Sequence, residues 1–162
     1  MPETMSAEDW ALWRAFREMT GDLERVLERR LHADAGLSQA DYGVLLALSE
    51  APRRRLRTGE VAAALGWEKS RVSHQVVRME TRGLVERAEC DNDGRGTWIG
   101  LTPTGRRTFL AATRDHSAAI REHLIDPIAP EDRDALARII AGAQETLDPV
   151  CDTACAAERD TA

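Results

Sequence analysis

Residues 7–32 place Trp13, Phe16, Thr20, Leu23, Leu27 and Leu31 at steps of three and four, the spacing that aligns side chains along one face of an α-helix. At 1.5 Å per residue a helix of that length runs about 39 Å. A chain of 162 residues suffices for one domain with a real core. It is too small to cover the whole of such a stripe, so part of the stripe is expected to pack on a second copy, which makes the chain a homodimer. Only 4% of residues are aromatic. Leucine, alanine, arginine and glutamate dominate, so a mainly α fold is expected.

Gly36 ends this helix, and Ser38 with Asp41 three residues later has the form of a capping box. The helix that follows is expected to turn Tyr42, Leu45, Leu46 and Leu48 inward and to close at Ala51-Pro52. Arg53-Arg54-Arg55-Leu56-Arg57 reads as too short and too charged for a core element. Thr58 then caps a helix through Val61, Ala62 and Leu65. Gly66 breaks it, and another helix runs from about Glu68 to Thr81. Two short helices joined by a glycine-containing turn are the helix-turn-helix signal.

Gly83 is free to take positive φ and end the second helix. Leu84–Ala88 and Thr97–Leu101 alternate as strands do around Asp91-Asn92-Asp93-Gly94-Arg95-Gly96, which predicts a β-hairpin. Thr102-Pro103 caps a further helix reaching about His123. Asp126-Pro127 interrupts it, and Pro130-Glu131 opens a last helix through Leu136, Ile139, Ile140 and Leu147.

Net charge is -6, which taken alone argues against nucleic acid. The charge is unevenly placed, however. Residues 52–107 hold 12 Lys+Arg against 7 Asp+Glu, and the remainder holds 10 against 21. A basic middle third between acidic ends suits a protein whose middle alone meets phosphates.

A DNA-reading helix must carry polar groups on the face away from its core. With Val72, Val76 and Met79 inward, Ser70, Arg71, His74, Arg78 and Thr81 lie opposite. Arg71, His74 and Arg78 follow steps of three and four, so all three can reach one groove, where arginine hydrogen bonds guanine O6 and N7. Ser70, near the helix start, suits a phosphate, and Ser73 and Gln75 complete the candidate contacts on this helix. At the hairpin tip, Arg95 between two glycines can enter a minor groove, with Asp93 placed to hold it by a charge-assisted bond.

Ser70-Arg71-Val72-Ser73, Arg82-Gly83-Leu84-Val85-Glu86-Arg87, Asp93-Gly94-Arg95 and Leu101-Thr102-Pro103-Thr104-Gly105 together resemble the winged helix of the MarR family of regulators. The long first helix and the two C-terminal helices are similar to that family's dimerisation region. The resemblance implies a single MarR-like domain over 1–162, with dimerisation helices at about 7–33 and 104–148 and the winged helix-turn-helix at about 38–103. It implies a two-fold dimer on double-stranded DNA that reads a pseudopalindrome, commonly a repressor released by a small, often phenolic or anionic, effector. The sequence departs from the family where a basic residue is usual, at His74 and at Asn92. By position in the family's effector pocket, Trp10, Trp13, Tyr42, Arg114 and His116 are candidates, with packing at the dimer interface as the other reading of each.

Cys90, Cys151 and Cys155 are an odd count with no CxxC pair and no histidines at zinc-finger spacing. A thiol-based redox regulator using Cys151 and Cys155, or Cys90, is the alternative function. Acidic neighbours such as Asp148 and Asp152 would raise those thiols, and peroxide-sensing relatives carry their cysteine in the N-terminal helix, where this chain has none. Phosphate-loop, nucleophile-elbow and HExxH motifs are missing, and the four histidines are scattered, so neither an enzyme nor a metal or other cofactor is expected. No apolar run approaches membrane-spanning length, and the start of the sequence lacks a secretory pattern. A cytoplasmic protein, nucleoid-associated when bound to DNA, is expected.

Overall fold

The computed structural model describes residues 4–89 and 97–147, and the chain divides into two compact units, 1–121 and 122–162. In the first unit, helix α1 spans Ala7–Ala35. The Ser6 hydroxyl accepts from the Asp9 amide at 3.1 Å, and the Asp9 carboxylate accepts from the Ser6 amide at 3.0 Å. The helix runs on to Gly36, which takes the left-handed cap without strain, at φ 62°. Its apolar stripe is split. Leu27 and Leu31 are buried, whereas Trp13 and Phe16 stay 47% and 54% exposed.

Helix α2 covers Gln39–Glu50 behind the expected Ser38/Asp41 capping box. Tyr42, Val44, Leu45 and Leu48 are buried. Leu46, expected inside, is exposed, because at 100° per residue it falls just outside the arc those four span. After α2 a 3-10 turn, Pro52–Arg54, carries Arg53 and Arg54 at φ 61° and 53°. It delivers the chain to a strand that sequence reasoning did not assign, β1, Arg55–Arg57. Helix α3, Thr58–Leu65, is capped one residue earlier than expected. Arg57 is the cap residue, and its amide donates to the Glu60 carboxylate at 2.6 Å.

Gly66, at φ 62°, ends α3, and α4 spans Lys69–Thr81. Strands β2, Val85–Glu89, and β3, Thr97–Leu101, form the expected antiparallel pair. The sheet has three strands in the order β1-β3-β2, with Leu56 opposite Ile99 and Arg57 opposite Trp98. Helix α5, Pro103–Ile120, starts from Thr102, whose hydroxyl accepts from the Gly105 amide at 2.9 Å. A π-helical turn follows, Arg121–Ile125.

The core of the first unit joins Leu31 and Leu37 to α2, α3 and α4 through Leu45, Leu48, Val61, Val72 and Met79, and reaches the sheet through Val85 and Ile99. The second unit holds a 3-10 turn, Pro130–Asp132, and helix α6, Arg133–Leu147, which carries Leu136, Ile139, Ile140 and Leu147. Among the described residues no helix is long and apolar enough to cross a membrane, and no three His, Cys, Asp or Glu side chains are grouped to hold a metal.

Candidate nucleic-acid interface

Helix α4 is buried through Val72, Gln75, Val76 and Met79 and exposes Ser70, Arg71, Ser73, His74 and Arg78. The Arg71 guanidinium lies 4.1 Å from the centre of the Trp67 ring. A cation held on an aromatic face is supported without being neutralised. The Ser73 hydroxyl donates to the Lys69 carbonyl at 2.9 Å, a local bond that leaves its lone pairs outward. Lys69 is exposed as well. It adds charge to the first turn of α4.

Gln75 belongs elsewhere. It is 4% exposed and turned inward, so it cannot reach a groove as the sequence reading placed it. Its amide Nε2 donates to Asp41 Oδ1 at 2.7 Å, and its Oε1 accepts from Arg78. Asp41, 3% exposed, is a buried junction. Its Oδ2 accepts from the Ser38 amide at 2.9 Å and from Arg82 Nη1 at 2.8 Å, and Arg82 Nη2 donates to the Gly36 carbonyl at 2.6 Å. Burial pushes the Asp41 carboxyl up, but the bonds from Ser38 and Arg82 and the Arg82 charge outweigh it and hold the group below the usual carboxylate range. Asp41 therefore stays charged, and it ties the start of α2, the end of α1 and the middle of α4 together.

The wing is braced from the far end of α4. Arg87 on β2 pairs with Glu80 at 2.7 Å, and its hydrogen bonds hold the Glu80 carboxyl below the usual range. Arg55 and Arg57 stack on Trp98, 4.8 and 5.2 Å from the ring centre, giving β1 and β3 a basic, aromatic surface. Asp93 and Arg95, assigned to DNA contact, lie outside the described residues, as do Cys90, Cys151 and Cys155.

Of the effector candidates, the structure brings two together. Tyr42 and His116 are buried with ring centres 4.6 Å apart, and the Tyr42 hydroxyl donates to Thr113 Oγ1 at 3.3 Å. His116 Nδ1 is buried with no hydrogen-bond partner among the described residues, and burial pulls the imidazole below its ordinary pKa. Trp10 and Trp13 instead line a separate open cleft on α1 with Arg14, Arg17 and Glu18, and Arg114 is exposed on α5. Among the described residues, Tyr42 with His116 and Trp10 with Trp13 thus form two groups.

Sequence reasoning did not single out Trp67, and it gave Asp41 only a capping role and Arg82 only a place in the family motif. Trp67 lies in the turn before α4, outside the helix, so helical spacing did not point to its contact with Arg71. The Asp41–Arg82 pair spans 41 residues of sequence, and no local pattern announces it.

A helix-turn-helix with a cationic outward face, followed by a strand pair braced against it, defines a winged-helix DNA-binding protein. Residues 35–96 match the model of the MarR family. Sco3205, a MarR family transcriptional regulator from Streptomyces coelicolor solved in complex with DNA, is 37% identical over 91% of this chain and 92% of its own, with a TM-score of 0.84. AbsC, a MarR family transcriptional regulator from the same organism, is 35% identical over 91% and 99%, with a TM-score of 0.82. An organohalide-sensing regulator solved in its 2,4-dichlorophenol-bound form shares the fold at 21% identity over 91% and 85%, with a TM-score of 0.77. No curated protein matches the sequence. The chain belongs to the MarR family of DNA-binding transcriptional regulators.

Proposed function

We propose that the protein is a homodimeric repressor that reads a pseudopalindromic operator with α4 and the wing, and that a small phenolic or anionic effector releases it. The observation that carries the reading is the outward face of α4, where Arg71, His74 and Arg78 stand together on a helix anchored from behind. Arginines in a major groove discriminate guanine from a wrong base by roughly 1–3 kcal/mol each. Ser70 and Ser73 supply phosphate contacts that fix the register. The DNA complex of Sco3205, a relative with 37% identity, supports the same use here. Residues 1–162 act as one MarR-like protomer, with 7–33 and 104–148 supplying the dimer contacts, and the exposed Trp13 and Phe16 support a partner along α1.

For the effector, His116 Nδ1, which has no partner among the described residues, offers a buried polar group beside the Tyr42 ring, a pairing of polar and aromatic groups that suits a small-molecule site. The dichlorophenol bound by the organohalide-sensing relative supports a phenolic ligand. Effector binding acts by favouring a spacing of the two recognition helices that does not fit half-sites about 34 Å apart.

Selection of bound duplexes from a random pool tests the reading. The expected winner is an inverted repeat with half-sites one helical turn apart, bound with an affinity that falls steeply with salt. Arg71→Ala and Arg78→Ala should each relax preference at one base pair per half-site. If no sequence is enriched by ligand-free protein, or if both variants bind the winner like wild type, α4 does not read DNA.

A further inference from the structure

Among the outward residues of α4, Arg71 rests on the Trp67 ring and Ser73 bonds to the Lys69 carbonyl, whereas Arg78 is held by a buried side chain, Gln75. At 100° per residue Arg78 stands about 60° from Gln75, on the border between the exposed and buried faces. From there its guanidinium donates to Gln75 Oε1, and the other end of that amide donates to Asp41 Oδ1 at 2.7 Å. Asp41 is fixed in turn by Ser38 and Arg82. The amide has no freedom to flip, because reversing it would point its NH2 at the Arg78 cation and its oxygen at the Asp41 anion.

We infer that Gln75 is a positioning residue for base recognition: a buried Asp41–Gln75 relay holds the Arg78 guanidinium in one orientation before DNA arrives. An arginine side chain is among the richest in rotamer entropy. A free arginine loses much of it on binding, and one already ordered by the protein loses less, so preorganisation raises affinity without a new contact to DNA. The relay also fixes which edge of the guanidinium faces the groove, since the edge bonded to Gln75 is unavailable. Specificity at the base pair Arg78 reads would then depend on a residue that never touches DNA.

This inference rests on Arg78 meeting a base, as proposed above, and a double-mutant cycle separates the two claims. Operator affinity and base preference are measured, by titration and by selection from a random duplex pool, for wild type, Gln75→Met, Arg78→Ala and the double variant. Methionine keeps the buried volume of Gln75 and removes both hydrogen bonds. The expected result is a loss of about tenfold in operator affinity for Gln75→Met, equivalent to about 1.4 kcal/mol. Preference should relax at the same base pair that Arg78→Ala affects, and Gln75→Met should cause less than about a twofold further loss in the Arg78→Ala background.

An equal loss in both backgrounds, spread evenly over all sequences, would make Gln75 a purely structural residue and overturn the inference while leaving the DNA face intact. Wild-type binding by Arg78→Ala would overturn both. Should Gln75→Met fail to fold, Gln75→Asn serves the same cycle, since it keeps the amide but is one methylene too short to bridge both partners.

Discussion

Replacing Gly105 by alanine places a methyl group where the backbone of another element already lies. A Cβ there would sit 1.8 Å from the Leu84 carbonyl oxygen, 2.8 Å from its carbonyl carbon and 3.2 Å from its Cα. Carbon and oxygen need more than 3 Å, so α5 or the turn before β2 must move by more than 1 Å. The obstacle is main chain, which no rotamer change relieves. Moving it strains the bonds that join the two segments: the Thr102 hydroxyl to the Gly83 carbonyl at 2.6 Å, and the Thr102 amide to the Leu84 carbonyl at 3.3 Å. Two hydrogen bonds at about 1 kcal/mol each, with partial unpacking of the buried Phe109 and Ala112, give a loss of about 3–5 kcal/mol. That is a large part of the 5–15 kcal/mol typical of a whole domain. Urea unfolding followed by circular dichroism at one fixed protein concentration measures it, because the stability of any self-associating protein depends on concentration. Gly59→Ala is the internal control. A Cβ at Gly59, in the first turn of α3, meets only Lys69 Cε at 3.6 Å, so the change should be neutral or stabilising by up to about 1 kcal/mol. A Gly105→Ala variant within 1 kcal/mol of wild type would refute the claim that α5 is seated on the Leu84 backbone.

The depressed Asp41 carboxyl contributes stability that is present above the unfolded value of about 3.9 and is lost as pH falls through the lower folded value. Acid titration should therefore show Asp41→Asn to be less stable than wild type at neutral pH, with a shallower loss below about pH 4; parallel curves would argue against a charged junction. His116 works the other way in sequence of protonation. Its folded pKa is lowered by burial, so as pH falls below about 6.5 the unfolded chain takes up a proton first and stability declines. His116→Phe should flatten that region of the pH–stability curve and, by removing a buried unpartnered nitrogen, should not lower stability at pH 8 by more than about 1 kcal/mol; an unchanged pH dependence would assign the decline to another group.

Local chemistry was the legible part of the chain. Gly36, Gly66 and Gly83 all take positive φ where the sequence has breakers, and Ser38 with Asp41 and Thr102 with Pro103 start helices as their residue types require. What escaped is what depends on partners distant in sequence. Strand β1 is three residues long and exists because Arg55–Arg57 find the free edge of β3, which no periodicity inside Arg-Leu-Arg can reveal. The inward turn of Gln75 was available in principle. On a helical wheel it lies about 40° from Met79, and only its polar type suggested a groove contact. A buried amide requires partners: Arg78 stands three residues on along the same helix, but Asp41 becomes visible only when α2 is packed on α4.

The position of Arg82 makes the same network matter beyond one arginine. It follows the last turn of α4 and bonds both to Asp41 and to the Gly36 carbonyl, which is the C-cap of α1. Glu80, two residues earlier, holds β2 through Arg87. Within the first unit, then, the recognition helix is tied by charge-assisted bonds to the end of the long helix on one side and to the wing on the other. Such bonds are short and directional, so α4 cannot turn relative to the α1 terminus without breaking an ion pair whose carboxylate is 3% exposed. Leaving a buried charge unpaired is strongly destabilising. In a dimer, the separation of the two recognition helices is therefore set by where α1 places each lobe, and the adjustable quantity is the lobe as a body. A reader of half-sites at fixed spacing needs that arrangement: stiff between the long helix and the base-contacting residues, with freedom confined to the contact between protomers.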